Sequence, residues 1–250
     1  DAVSGNGGSL EEPADAVVAI HLHESGGLAR ALEFAARAGR RAKAAGALIE
    51  AVELLGRSVT MAAQVDRSQL VDLLLEEGES RRWLGDLAGA RRSFDRARRH
   101  RPGPVQLARL SHLSADLALR LGRSRSASSW VRRGLDALDP LVERAAGDAA
   151  SDWTDPSADS TASTSLELHC LLLLDESARL DQAERHRAAV EVARRALDIA
   201  SRYRLELVEG DGAFGLGFRL GFRLGFRFGF RFRFRVRFRF RVRFRFRVRI

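Results

Sequence analysis

The chain is poor in the residue types that most often carry chemistry. Its one cysteine, Cys170, excludes an intramolecular disulfide and any cysteine-rich metal site. Its one lysine, Lys43, sits in Arg41-Ala42-Lys43-Ala44. A phosphate-binding loop needs Gly-Lys followed by Ser or Thr, so that loop is absent. No run of 18 apolar residues occurs, and no membrane-spanning helix is expected. The beginning lacks the charged-then-apolar pattern of a secretion leader, and the single methionine is Met61. These features lead to the expectation of a cytoplasmic fragment of a longer product. There is also little lysine beside much arginine, which points to a GC-rich coding sequence and says little about function.

What is present falls into two chemically unrelated parts. The 250 residues carry a net charge of +9, but residues 211–250 hold 13 Arg against one acid, Asp211. Residues 1–210 are left with 29 basic and 32 acidic side chains, a net of −3. Twelve of the 14 Phe also lie in the last forty residues, only Phe34 and Phe94 falling outside. A body rich in Ala, Leu, Arg and Glu therefore precedes a Phe/Arg tail.

The body, from 28 to 203, has the period of α-helices. Leu48, Ala51, Val52, Leu55 and Val59 make one helical stripe. Leu87, Ala90, Phe94 and Ala97 make another, and Leu107, Leu110, Leu113, Leu117 and Leu121 continue the habit. Gly46, Gly85 and Gly122 punctuate the helices at intervals of 39 and 37 residues, near the length of a helical-hairpin repeat.

Setting those glycines in register exposes a pattern. Seven positions before each stands a small residue: Gly39, Gly78, Ala115. Five after stands Ala51, Ala90 or Ala127, and nine after stands Leu55, Phe94 or Val131. Twelve after stands Ser58, Ala97 or Gly134. Small residues let two helices of a hairpin approach, and the larger one fills the gap to the next hairpin. Pro102 follows the second unit, where a helix must stop.

This register resembles the tetratricopeptide repeat. The second unit matches best, with Leu74, Gly78, Leu84, Gly85, Asp86, Ala90, Phe94, Ala97 and Pro102 at consensus places, although the aromatic expected near Arg81 is missing. The resemblance implies an all-α, tetratricopeptide-like hairpin solenoid. The expected organisation is 1–22 as N-terminal linker and remnant helix, 23–145 as three repeats and 146–163 as a disordered linker. A fourth hairpin at 164–205 and a low-complexity tail at 206–250 complete it. Ala189, Ala193 and Ala196 would lie on the second helix of the fourth hairpin, whose first helix would open on a capping box, Thr164-Ser165-Leu166-Glu167. Trp153, in the linker, reads as an idle exposed aromatic. Residues 1–9 are too rich in Gly and Ser to fold, and 10–23 could form one more helix.

A second resemblance rests on His23, Gly26-Gly27, Ala31, Ala38-Gly39, Arg41-Ala42, Glu50-Ala51 and Leu54-Leu55. Gly85-Asp86-Leu87-Ala88-Gly89-Ala90-Arg91, Pro104 to Leu110 and Trp130 to Leu135 add to it. Together they resemble the region after the nucleotide-binding ATPase module in actinobacterial class III adenylate/guanylate cyclases and related signalling regulators. That implies a C-terminal regulatory region whose catalytic modules lie upstream. No paired metal-binding aspartates of a cyclase and no kinase loop are found. The chain alone is expected to have no catalytic residue, no cofactor and no metal.

Helical geometry discriminates among the individual candidates. His21 and His23 flank Leu22; on a helix they point about 200° apart, the wrong arrangement for one metal. His169-Cys170 places a base beside a nucleophile, but neighbours on a helix diverge, and Leu171 to Leu174 follow. A buried structural thiol is expected. Glu76-Glu77 and Asp175-Glu176 read as solvated helix-surface acids. The functional surface of such a solenoid is the groove lined by first helices. The candidates there are Arg81, Arg82, Arg109, His112 and Arg120, whose guanidinium forks suit a carboxylate-bearing protein or peptide segment. The partner could equally be the upstream modules of the same polypeptide. The chaperone-tail clamp of Lys and Asn is missing, since the only Asn is Asn6.

The tail has two readings. Alternation of Phe with Arg would give a strand with one apolar and one cationic face, suited to nucleic acid or anionic lipid. Against this, residues 215–226 nearly repeat a four-residue unit. Phe-Arg encoded as TTC-CGG becomes Ser-Gly when shifted by one base, so 213–250 also reads as an out-of-frame linker.

Overall fold

A computed structural model of the chain describes residues 15–148, 160–203 and 205. The chain divides into two units, Asp1–Leu207 and Val208–Ile250, and every described residue lies in the first. The expectations for the tail, for Trp153 and for residues 1–9 fall outside the described residues.

Among the described residues every regular element is an α-helix and there is no strand. The order is α1 (Asp15–Glu24), α2 (Leu28–Ala44), α3 (Leu48–Val65), α4 (Leu70–Leu84), α5 (Leu87–Arg99), α6 (Pro104–Arg120), α7 (Ser124–Asp148), α8 (Ser160–Gln182) and α9 (His186–Arg202). None of these helices is long and apolar enough to cross a membrane.

One turn recurs. Gly26, Gly46, Gly85 and Gly122 have φ of 82°, 78°, 89° and 68°, in the left-handed region that a side chain disfavours. Each ends a helix with the same backbone closure, in which the N–H after the glycine donates to a carbonyl five residues back. The bonds are Gly27 to Leu22, Ala47 to Ala42, Asp86 to Arg81 and Arg123 to Ala118, at 2.8–2.9 Å. This is the glycine-capped helix end that satisfies otherwise orphaned carbonyls. The turn between α8 and α9 has the same closure, Arg185 to Leu180 at 2.9 Å, but its left-handed residue is Glu184, at φ 59°. Glu184 therefore holds the place of the missing glycine. Counting from it, Ser177, Ala189, Ala193 and Ala196 fall in the register of the other pairs.

Within each pair a small residue on the first helix receives a larger one from the second. A methyl added at Gly39 would lie 2.9 Å from Leu55 Cγ, and one at Gly78 would lie 2.8 Å from Phe94 Cδ1. In the next pair Ala115 and Val131 share one apolar cluster. In α8 and α9 the filler is polar, with the Ser177 hydroxyl donating to the Ala189 carbonyl at 2.8 Å. Gly134 serves the contact between pairs, since its missing methyl would strike Leu172 and Ser111 at 2.7 and 2.8 Å. Leu55, Leu74, Leu110, Leu138 and Leu172 are fully buried. Each such side chain contributes about 1.5–3 kcal/mol relative to exposure.

Helices pack mainly on their sequence neighbours: α2 on α3, α4 on α5, α6 on α7 and α8 on α9. A second set of contacts skips one element, joining α2 to α4, α4 to α6 and α6 to α8. The first helices of successive pairs thus touch one another.

Several boundaries differ from expectation. Helix α7 runs to Asp148 and α8 begins at Ser160, so both ends of the expected linker 146–163 are helical. Helix α7 continues through Pro140, whose ring nitrogen cannot donate to the preceding turn. The capping box at Thr164 is corrected: Thr164 lies inside α8, and the Ser165 hydroxyl donates back to the Thr161 carbonyl at 2.7 Å. A Ser inside a helix can bond back to the carbonyl four residues before it instead of capping the helix start. The remnant helix expected within 10–23 is α1, ending at Glu24.

Candidate functional site

All five groove candidates lie on two adjacent first helices, Arg81 and Arg82 on α4, and Arg109, His112 and Arg120 on α6. The structure gives each an acidic partner from this same chain. Arg82, wholly buried, pairs with Asp116 across the α4–α6 contact. Arg120 donates to the same Asp116 at 2.7 Å from the solvent side. Arg109 lies 3.3 Å from Glu79 on α4. Arg81 meets Glu77 at 2.8 Å and Asp86 at 3.2 Å. His112 Nδ1 lies 2.7 Å from Asp175 Oδ2, tying α6 to α8.

These ties belong to a longer series. Arg40 on α2 reaches Glu76 on α4 at 2.9 Å, and Lys43 reaches Glu79 at 2.9 Å. Gln106 on α6 donates to Asp72 on α4 at 2.8 Å. The Ser93 hydroxyl donates to Glu77 at 2.9 Å, linking α5 to α4. Polar pairs therefore join α2 to α4, α4 to α6 and α6 to α8.

The electrostatics follow from this placement. Burial pushes the Glu79 carboxyl up, but Lys43 and Arg109, with Arg82 further off, outweigh it and hold Glu79 below the ordinary carboxylate range. Burial likewise opposes the charge on Arg81, and Glu77 and Asp86 more than offset it. Removing one partner from a buried pair strands the other charge and costs about 3–5 kcal/mol, whereas an exposed pair contributes about 1 kcal/mol or less. An incoming carboxylate at this row must compete with Glu77, Glu79, Asp116 and Asp175.

The four acids expected to be solvated are paired or buried instead. Glu77 and Asp175 are buried, Glu76 is held by Arg40, and Glu176 is held by Arg179 at 2.6 Å. They are internal ties and not solvated surface acids. The available signal was register: Arg40 to Glu76 and Lys43 to Glu79 are both 36 residues apart, about one repeat.

The other candidates separate as helical geometry requires. His21 and His23 share α1, and His21 approaches only Glu24, at 3.8 Å on the surface. Cys170 is fully buried on α8, with Sγ 3.5 Å from the Ala196 carbonyl. Burial, reinforced by Glu167, pushes its thiol up to about 12, so thiolate is scarce at neutral pH. Burial pushes the His169 imidazole down, Arg195 adding to the effect and Asp139 opposing it. Among the described residues no group of three or more His, Cys, Asp or Glu is arranged to hold a metal ion.

No protein-family model matches the chain, and no curated protein matches it.

Proposed function

We propose that this chain is a noncatalytic protein-interaction and regulatory segment, a tetratricopeptide-like solenoid within a larger bacterial signalling protein of the ATPase-coupled adenylate/guanylate cyclase type. The observation that supports it is recurrence. The same left-handed turn, the same small-against-large pairing and the same first-helix contact return along the chain. Stacked units of this kind present an extended surface to a partner.

In this reading, binding of a partner segment, or of upstream modules, at the solenoid surface biases the activity of those modules. The test takes the longer polypeptide that contains this segment. Nucleotide cyclase and ATPase activity are measured with the segment intact and with residues 15–205 deleted. A change in activity on deletion supports the reading. Identical activity, or turnover of ATP or GTP by the present chain alone, overturns it.

A further inference from the structure

The interaction reading leaves open which surface does the binding, and the row of paired arginines on the first helices is already neutralised. Helix α5 and the first turns of α7 differ. Residues 87–101 and 123–133 carry ten arginines and one acid, Asp95, although the body as a whole is net negative. Arg91, Arg92, Arg96, Arg98, Arg99, Arg123, Arg125, Arg132 and Arg133 are all exposed. Asp95 is shared at 3.7 Å from Arg91 and 4.0 Å from Arg98, leaving the surplus charge uncompensated. Among the described residues Arg96, Arg99, Arg123, Arg125 and Arg132 have no carboxylate within 4.0 Å.

Between α5 and α7, over α6, runs a groove of about 260 Å³. Its rim carries Arg91 and Arg98 from α5 and Arg123 from the turn before α7. Leu117, Leu121 and Trp130 lie between these arginines, beside the polar Asp95, Ser114 and Ser126. Leu121 is 41% exposed at the edge of this rim. Arg133 stacks over the Trp130 ring at 4.8 Å and fixes that end of the groove.

We propose that this α5–α7 groove is a docking surface for an acidic protein segment, an amphipathic helix with carboxylates on one face and large aliphatic side chains on the other. It rests on the interaction reading only in taking a protein segment as the ligand. The cationic rim supplies long-range attraction and orientation for carboxylates. Leu117, Leu121 and Trp130 offer the apolar contacts for the aliphatic side chains, as grooves do for amphipathic helices. A nucleic acid backbone would use the rim and leave the leucine and tryptophan contacts without purpose, so the protein segment is the better fit.

The test uses the full chain and a fluorescein-labelled synthetic helical peptide with glutamates on one face and leucines on the other. Binding is read by fluorescence anisotropy at an ionic strength of about 0.1 M. The groove variant is Arg91→Glu/Arg98→Glu/Arg123→Glu. The control variant reverses three exposed arginines elsewhere, Arg30→Glu/Arg187→Glu/Arg202→Glu, so both keep the tail and the same net charge. Thermal unfolding confirms that each is folded, and Arg91→Gln/Arg98→Gln/Arg123→Gln gives a milder second variant.

The groove variant is expected to weaken peptide binding by about tenfold or more, with a smaller loss in the glutamine variant and less than about twofold in the control. A peptide with its leucines replaced by serine should also lose binding. Equal losses in the groove and control variants overturn the proposal, because attraction is then diffuse or belongs to the tail. Retained binding of the serine peptide overturns it as well. So does a labelled DNA oligonucleotide that depends on the three groove arginines when the peptide does not. If groove binding holds but deletion in the longer polypeptide changes no activity, the regulatory reading falls and the docking surface stands; the reverse pair of results rejects the surface alone.

Discussion

Gly78 on α4 lies against the ring of Phe94 on α5, so closely that a methyl at position 78 would come within 2.8 Å of Phe94 Cδ1. An aromatic ring held by a buried helix pair cannot withdraw as a flexible chain end can. The usual helix gain of alanine over glycine, about 0.5–1 kcal/mol, is then reversed. Gly78→Ala is expected to lower stability by about 1–3 kcal/mol, the cost of overpacking. Urea unfolding of Gly78→Ala, Phe94→Leu and the double variant checks this. The double variant should recover part of the loss, and strict additivity would mean the two side chains are apart.

Glu184 offers the opposite case. It holds φ 59°, where the equivalent residues of the other turns are glycine. A side chain in that region costs about 1–2 kcal/mol. Glu184→Gly should therefore raise stability by about 1 kcal/mol, and Gly85→Ala, at φ 89°, should lower it. Thermal unfolding of both variants reads the two signs.

These two positions show what was legible in the sequence. The helices, the turn glycines at 46, 85 and 122, and the small-against-large pairs could be read because they depend on local period and on residue size. Gly26 falls outside the register of turn glycines because it lies only 20 residues before Gly46, short of the interval that links the others. Glu184 hid the last turn because the backbone requirement remained while the residue that announces it was replaced. The acids Glu76 and Asp175 could not be judged locally, since their cations stand on other helices and meet them only after the helices stack; Glu77 meets Arg81 four residues on along α4, and only its burial and its bond to Ser93 depend on packing. The start of α8 was misplaced because Thr164 and Ser165 look like a cap when their preceding turn is unseen.

Acid should loosen the α2–α4–α6 contact. The Glu79 carboxyl in the folded chain titrates below its ordinary value of 4.5. As pH falls, the unfolded chain takes up the proton first. The stabilisation from Glu79 is thus complete above 4.5 and is lost as pH falls through the lower folded value. Urea midpoints between pH 7 and about 3 should fall more steeply for the parent chain than for Glu79→Gln. Equal slopes would separate Glu79 from Lys43 and Arg109.

Cys170 should behave as a core residue. With its thiol pushed up to about 12 and its side chain fully buried, it should resist iodoacetamide at mildly alkaline pH. In denaturant, labelling should be fast and complete, as mass spectrometry would show. Rapid labelling of the native chain would place Cys170 at the surface.

The contact between first helices is tested most directly by a double-mutant cycle on Arg82 and Asp116, which lie 34 residues apart and pair in the buried α4–α6 contact. Stability is measured for Arg82→Met, Asp116→Leu and both together. The structure predicts that each single substitution costs about 3–5 kcal/mol by stranding a buried charge. The double variant should recover most of one loss, because apolar replacement of a whole buried pair is well tolerated. Losses that simply add would contradict it, since the two helices would then not lie side by side.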